Sequence, residues 1–383
     1  MTDRVRLATR GSDLALRQTR SVARELERRR FDVELVEVTT RGDELRDELV
    51  HRLGRTGAFV RALDEEVLDD DGAADAAVHS MKDVPTDFPD DLVVAGAPER
   101  APANDLLLTP GGRSLAELPE GATVGTSSLR RQAQLLAERP DLDVQPLRGN
   151  VDTRVEKLLA TSVGAEHERR VVADGELDSP SASGTESRPA EEEEDPDETF
   201  DEPVEDWLDS LSVVEQDALA RYPVDPAYDA IVLAEAGLDR MGLLHHVPHE
   251  RLDPATFVPA PGQGAVAVTA LDTDAERFRE ALDHPRTRVE TTAERTVLKE
   301  LGGGCVAPLG VHATLRGEYV HAVARVLDRA GDETIRGTAD LPARDHADAA
   351  REFAAGLADR GGAELVAEAR RTAAEHEETE GAR

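Results

Sequence analysis

Five short segments place charged, hydroxyl or thiol groups beside the ends of apolar runs. Val78–Pro85 reads VHSMKDVP, so Ser80, Lys82 and Asp83 follow a buried run and Pro85 stops any continuing helix. Active-site groups gather at strand ends in open α/β sheets. The Lys82–Asp83 pair is therefore a candidate for an active-site role, although adjacent charges also make ordinary surface ion pairs. Gly125–Arg131 reads GTSSLRR. There the hydroxyls of Thr126, Ser127 and Ser128 and the guanidinium groups of Arg130 and Arg131 converge on one helix start, an arrangement suited to a carboxylate or phosphate. A plain serine N-cap explains Ser127 or Ser128 but not the paired arginines. Arg148-Gly149-Asn150 leading to Arg154, and Arg10-Gly11-Ser12, repeat the pattern. Three such junctions imply a ligand with several negative groups. The last segment, Leu301–Gly310, reads LGGGCVAPLG and holds the only cysteine, Cys305. A lone cysteine is most often a small buried hydrophobe. A triple-glycine loop instead exposes it as a nucleophile or attachment point.

These groups need strands and helices to carry them, and apolar spacing supplies both. Strands are expected at Val5–Thr9, Val33–Val38, Ala76–His79, Leu92–Ala97, Asp105–Thr109, Thr123–Gly125, Val144–Leu147, Asp229–Ala234 and Gly262–Val268. Helices are expected at Ser12–Arg29, with Ser12 as N-cap and Leu14, Leu16, Val22, Ala23 and Leu26 as its apolar face, and at Ala58–Leu68, Ser128–Glu138 and Val151–Leu159. Past Arg286 the chain reads as helix Thr291–Glu300, a glycine turn, two strand-like segments and helix Ala347–Arg360. Repeated alternation of this kind is an α/β pattern.

At 383 residues the chain is long enough for two or three domains. Changes of character near Pro98 and Pro261 mark domain crossings. The net charge is −35, which excludes nucleic-acid binding through bulk electrostatics. A charged start (MTDRVRLATR) and the lack of a long apolar run argue against secretion and a membrane span, so a cytoplasmic location is expected. A single cysteine excludes an internal disulfide and a Cys-rich zinc site, and no metal is expected. Only Lys82, Lys157 and Lys299 are lysines among 45 basic residues, and aromatics make up 3%. That balance fits a salt-saturated cytoplasm, where carboxylates hold water and salt screens their repulsion. Residues 161–227 carry −17, about half of the net charge. Their centre is low-complexity and reads as disordered. The following Val204–Arg221 has helical spacing around Trp207, which is placed outside the core, and the whole stretch reads as a solvated surface insertion.

Taken together, the segments resemble the hydroxymethylbilane synthase (porphobilinogen deaminase) family. The matching strings are RVRLATRGS (Arg4–Ser12), TTRGD (Thr39–Asp43), AVHSMKDVP (Ala77–Pro85), VGTSSLRRQ (Val124–Gln132), LRGNVDTR (Leu147–Arg154), YDAIVLAEAGLDRMG (Tyr228–Gly242), PGQGAV (Pro261–Val266) and the loop Gly302–Gly310. They occur in family order and span nearly all the chain outside the insertion.

The resemblance implies a transferase that condenses four porphobilinogen molecules into hydroxymethylbilane and releases ammonia. Its primer would be a dipyrromethane cofactor covalently attached to Cys305. Asp83 would be the catalytic carboxylate, a single group with a tuned pKa serving acid and base steps. Ser80, Lys82, Thr126, Ser127, Ser128, Arg130 and Arg131 would bind the cofactor. Arg10, Ser12, Arg52, Arg148, Arg154 and Arg240 would bind substrate carboxylates. The family's Lys-rich glycine segment here reads Arg52-Leu53-Gly54-Arg55-Thr56-Gly57, with Arg52 for the first lysine and Thr56 at the second, beside Arg55.

The implied fold is α/β in three domains. Residues 1–98 with 263–281, and residues 99–262, would form two periplasmic-binding-protein-like lobes. Residues 282–383 would form a smaller domain carrying the cysteine loop. A monomer is expected, with porphobilinogen as its partner and room for a transient contact with a downstream uroporphyrinogen-III synthase. The competing reading is a cytoplasmic two-lobed anion- or solute-binding protein without catalysis.

Overall fold

The computed structural model describes residues 3–38, 56–69, 72–174, 200–304 and 307–381, with the backbone alone at 56–61 and 373–381. In chain order the first elements are β1 (Asp3–Arg10), α1 (Asp13–Arg28), β2 (Phe31–Val38), α2 (Thr56–Leu68), β3 (Ala76–Ser80) and β4 (Leu92–Gly96). Then come β5 (Asp105–Leu108), β6 (Thr123–Gly125), α3 (Leu129–Glu138), β7 (Asp143–Gln145), α4 (Val151–Ala173), α5 (Val204–Ser210) and α6 (Val213–Leu219). The chain continues through β8 (Ala230–Ala234), α7 (Glu235–Met241), β9 (His249–Arg251), β10 (Val266–Leu271), α8 (Ala275–Leu282) and α9 (Pro285–Glu300). It ends in β11 (Leu309–Arg316), β12 (Tyr319–Leu327), β13 (Thr334–Pro342), α10 (His346–Ala358) and α11 (Gly362–Gly381).

Two five-stranded sheets share one topology. The first is ordered β2-β1-β3-β10-β4 and the second β7-β6-β8-β5-β9. In each, three parallel strands are followed by one strand antiparallel to both of its neighbours. That odd strand is the one the chain inserts as it crosses, β5 on leaving the first sheet and β10 on returning. The third sheet is the antiparallel meander β11-β12-β13, backed by α9, α10 and α11 through a core that includes Val297, Val311, Ala324, Leu357 and Val366.

The two crossing segments run side by side. Ala101 N donates to Gly264 O at 3.2 Å and Arg100 Nε to Gln263 O at 2.8 Å. Gly264 has φ +84°, and a Cβ there would lie 2.4 Å from Ala101 O. Only glycine allows that approach. Glu294 of α9 ties this helix and the third sheet to the crossing. Its buried carboxylate accepts both Arg100 Nη atoms (2.8 and 3.0 Å), Gly262 N (2.7 Å) and Ala313 N (2.8 Å). Burial alone would raise its pKa, but Arg100 and His312 bring it down to about 2.

Several expectations need correction. The expected helix Val151–Leu159 runs on to Ala173, because Leu158, Leu159, Val163 and Val171 continue its buried side. The surface insertion therefore does not begin at 161. Trp207 is not outside the core: it is half-buried against the cluster of Leu158, Leu159 and Val163, together with Leu211 and Val214. It stacks on His167 at 6.2 Å between ring centroids. The Arg170 guanidinium lies over both Phe200 (4.4 Å) and Trp207 (4.9 Å). Val204–Arg221 forms two helices, because Ser212 starts the second with a capping box to Glu215. The low-complexity centre, residues 175–199, lies outside the described residues.

Smaller shifts occur elsewhere. On α1 the buried positions are Gln18, Thr19, Val22, Ala23 and Leu26, while Leu14 and Leu16 are half-buried. Gln18 and Thr19 can be buried because each has a partner, Ser80 and Thr9. The strand expected at Val144–Leu147 is Asp143–Gln145. The return strand begins at Val266, after the positive-φ glycines 262 and 264. The C-terminal region has three strands and a further helix, α11.

Candidate active site

The candidate groups come from the C-terminal ends of the parallel strands in both sheets. β1 ends in Arg10, half-buried, and Ser12 begins α1 without using its hydroxyl as a cap. β3 ends in Ser80, whose Oγ meets the Gln18 amide at 3.1 Å. A single 3-10 turn, Met81–Asp83, follows. Met81 and Val84 are buried on either side and anchor the turn, leaving Asp83 half-buried and Lys82 exposed.

In the second sheet β6 runs into Thr126, Ser127 and Ser128. Thr126 is buried, and its Oγ1 accepts Ser128 N at 3.2 Å. Ser127 Oγ donates to Leu147 O, which ties this junction to the one after β7. Ser128 caps α3, its Oγ accepting Arg131 N at 3.5 Å. Arg148 is half-buried before the positive-φ Gly149, and Arg154 Nε returns to Gly149 O at 2.8 Å.

Arg130 and Arg131 are both buried, and one carboxylate holds them. Asp105, at the start of β5, accepts Arg130 Nη2 through Oδ2 at 2.7 Å, and Arg131 Nε (3.0 Å) and Nη2 (2.7 Å) through Oδ1. Gln263 of the crossing segment adds its Nε2 to the same Oδ1 at 2.8 Å. Burial works to raise the Asp105 pKa, but the two arginines hold it at about 2. Arg130 also donates to Val258 O (2.7 Å), and Arg131 to Val232 O (3.0 Å). Arg130 Nε is buried and has no hydrogen-bond partner among the described residues.

Charge links the two sheets across the site. Lys82 is drawn up by Asp83 beside it, but desolvation and then Arg131 and Arg154 of the second sheet outweigh this, and its pKa falls below the usual lysine range. Arg154 is lowered to about 10, by desolvation first and Arg131 second. The site is thus a group of cations repelling one another, Arg131 buried and Lys82 at the exposed edge, with Asp83 and Asp105 as the acids that bear on them. An anion seated there relieves the repulsion. Arg240 sits differently: its Nη2 donates to Gly264 O at 2.7 Å, and Arg17 of α1 reaches its carbonyl at 3.4 Å. It therefore binds the crossing segment at the junction of the two sheets.

Comparison with known proteins decides what this arrangement belongs to. The family description "Porphobilinogen deaminase, dipyromethane cofactor binding domain" matches residues 5–177 and 216–279, and "Porphobilinogen deaminase, C-terminal domain" matches residues 289–358. The chain belongs to the porphobilinogen deaminase family. It is 52% identical to the "Probable porphobilinogen deaminase" of Halobacterium salinarum, over 96% of this chain and 99% of that one. It is 39% identical to the protein of the same name from Methanopyrus kandleri, covering 92% and 98%. It is 34% identical to the "Porphobilinogen deaminase" of an Exiguobacterium species, covering 94% and 97%. The first of these matches is interrupted between 177 and 216, so the segment outside it is shorter than the expected 161–227 and excludes all of α4 and most of α6.

The residues present fit the dipyrromethane of the porphobilinogen deaminase family. That group carries two carboxylates on each ring, and the orphaned Arg130 Nε and the mutually repelling Lys82, Arg131 and Arg154 are a donor set for carboxylates. Cys305, Arg52 and Arg55 lie outside the described residues, and Thr56 is described by its backbone alone. Sequence reasoning missed Asp105, Gln263 and Gln18. Their signals were faint: an acid opening the apolar run Asp105–Leu108, an amide between two glycines, and an amide on the apolar side of a helix. Among the described residues no helix is long and apolar enough to cross a membrane, and no cluster of three or more His, Cys, Asp or Glu could hold a metal ion.

Proposed function

We propose that the protein is a hydroxymethylbilane synthase, condensing four porphobilinogen molecules head to tail and releasing one ammonia for each. The observation that carries this reading is the half-buried Asp83 at a strand end, beside a Lys82 whose ammonium feels both Asp83 and, from the other sheet's strand ends, Arg131 and Arg154. The dipyrromethane, when bound, supplies the primer on which the chain grows. Cys305 is its attachment point, and Ser80, Lys82, Thr126, Ser127, Ser128, Arg130 and Arg131 hold it.

Asp83 has three tasks in each cycle. It protonates the departing amino group of porphobilinogen, so that ammonia leaves. Its carboxylate then stands beside the pyrrole N–H of the resulting methylene-pyrrolenine cation and stabilises that charge. When the new carbon–carbon bond forms, it takes the proton lost at the joined ring carbon, so one proton is lent and recovered. Arg10, Ser12, Arg52, Arg148 and Arg154 grip acetate and propionate groups and orient the ring. Arg240 lies at the crossing, where a grip on substrate carboxylates would also bear on the junction of the lobes. In concentrated salt long-range attraction is screened, so short bidentate arginine–carboxylate contacts do the holding.

The three sheets support a division into a lobe of residues 1–98 and 263–281, a lobe of residues 99–262, and an attachment domain of residues 282–383. The attachment claim is tested by intact mass. The purified chain should exceed its sequence mass by one dipyrromethane, and Cys305→Ala should remove the excess. A wild-type chain that stays at its sequence mass after exposure to porphobilinogen contradicts the claim.

A further inference from the structure

The helix α9 leads directly into the glycine loop of Cys305, and one of its side chains grips the turn that carries Asp83. Arg295 Nη1 donates to Val84 O at 2.8 Å and to Met81 O at 3.4 Å, and its Nη2 donates to Pro85 O at 2.6 Å. The Met81–Asp83 turn is itself closed by Val84 N donating to Met81 O at 3.2 Å. One guanidinium therefore binds carbonyls on both sides of Asp83 without touching its carboxylate. Four residues on, Lys299 Nζ lies 3.1 Å from Asp87 Oδ1, so the same helix face meets the loop again just beyond the turn. The preceding residue, Glu294, holds Gly262 N, and a Cβ on Gly262 would lie 2.6 Å from Met81 Cγ. The turn is thus braced by α9 directly and, through Gly262, indirectly.

We propose that Arg295 is a positioning residue for the acid–base step, fixing the Asp83 turn on the helix that ends at the cofactor loop. The inference rests on the reading of Asp83 as the acid–base group. A planar fork with several donors suits this task, since it can bind carbonyls that point in different directions. Loss of the fork leaves Asp83 present but free to drift, and a small misplacement of a catalytic group is costly in rate.

The test uses the holoenzyme with Arg295→Met, Arg295→Lys, Asp83→Asn and the double variant Asp83→Asn/Arg295→Met. Arg295→Met should lower kcat for porphobilinogen consumption by about tenfold or more, with KM within about twofold and the cofactor mass retained. Arg295→Lys should fall between Arg295→Met and the wild type. In the Asp83→Asn background Arg295→Met should cause little further loss, because a side chain acting only through Asp83 has nothing left to position. A purely structural role would lower kcat in both backgrounds alike, and that result overturns the proposal. So does an unchanged kcat in Arg295→Met. If Arg295→Met fails to fold, Arg295→Lys decides, and wild-type kcat there overturns the proposal. Normal turnover in Asp83→Asn would instead overturn the reading of Asp83 itself.

Discussion

Asp83→Asn is expected to keep its cofactor and lose turnover by a factor on the order of 10² to 10⁴, the usual contribution of a positioned acid–base group. Asparagine preserves the shape of the side chain and can still hydrogen-bond, but it neither gives nor takes a proton in this range. The turn around it is held by buried Met81 and Val84 and by Arg295, none of which depends on the carboxylate. Folding and cofactor attachment should therefore survive. The measurement is porphobilinogen consumption at saturation, paired with intact mass. Turnover within about threefold of wild type would remove Asp83 from the chemistry.

Asp105→Ala should have the largest effect on stability. The substitution leaves Arg130 and Arg131 buried with their shared counter-charge gone, and breaking a buried pair from one side costs about 3–5 kcal/mol. The same change frees two arginines of the anion site, so the variant should also hold its cofactor poorly. Urea unfolding gives the first quantity and intact mass the second. A loss under about 1 kcal/mol would show that the arginines find other partners.

The pH dependence follows with a definite sign. Asp105 and Glu294 both have folded-state pKa values lowered to about 2. Their stabilisation is fully present above the unfolded carboxylate range near ~4 and is lost as pH falls toward ~2. Asp105→Ala should flatten part of that acid limb.

Much of the candidate site's layout was legible because these segments are local in sequence. Arg10–Ser12, Ser80–Asp83, Thr126–Arg131 and Arg148–Arg154 are each a strand end read through into the next helix or turn, and turn chemistry is set by neighbours. The alternation of strands and helices was legible for the same reason. What could not be read depends on distant partners. Asp105 meets Arg130 and Arg131 only because the chain, on leaving the first sheet, lays β5 beside β8 in the sheet whose strand β6 leads into α3, and Arg100 meets Glu294 across 194 positions. The length of α4 was hidden because its last turns mix acids and arginines with only a few apolar residues. Those residues gain their significance from Trp207 and α6 packing back on them. Trp207 itself lies in an acidic stretch, so composition pointed outward while packing drew it in.

The central claim is that this chain performs a condensation and does not merely hold an anionic pyrrole. The most direct measurement is to supply porphobilinogen to the purified chain in concentrated salt and to follow ammonia and product together. The account predicts one ammonia for each porphobilinogen consumed and one linear tetrapyrrole for every four. Binding of porphobilinogen without ammonia release, in a folded chain bearing its cofactor, would contradict it and leave a two-lobed binding protein in its place.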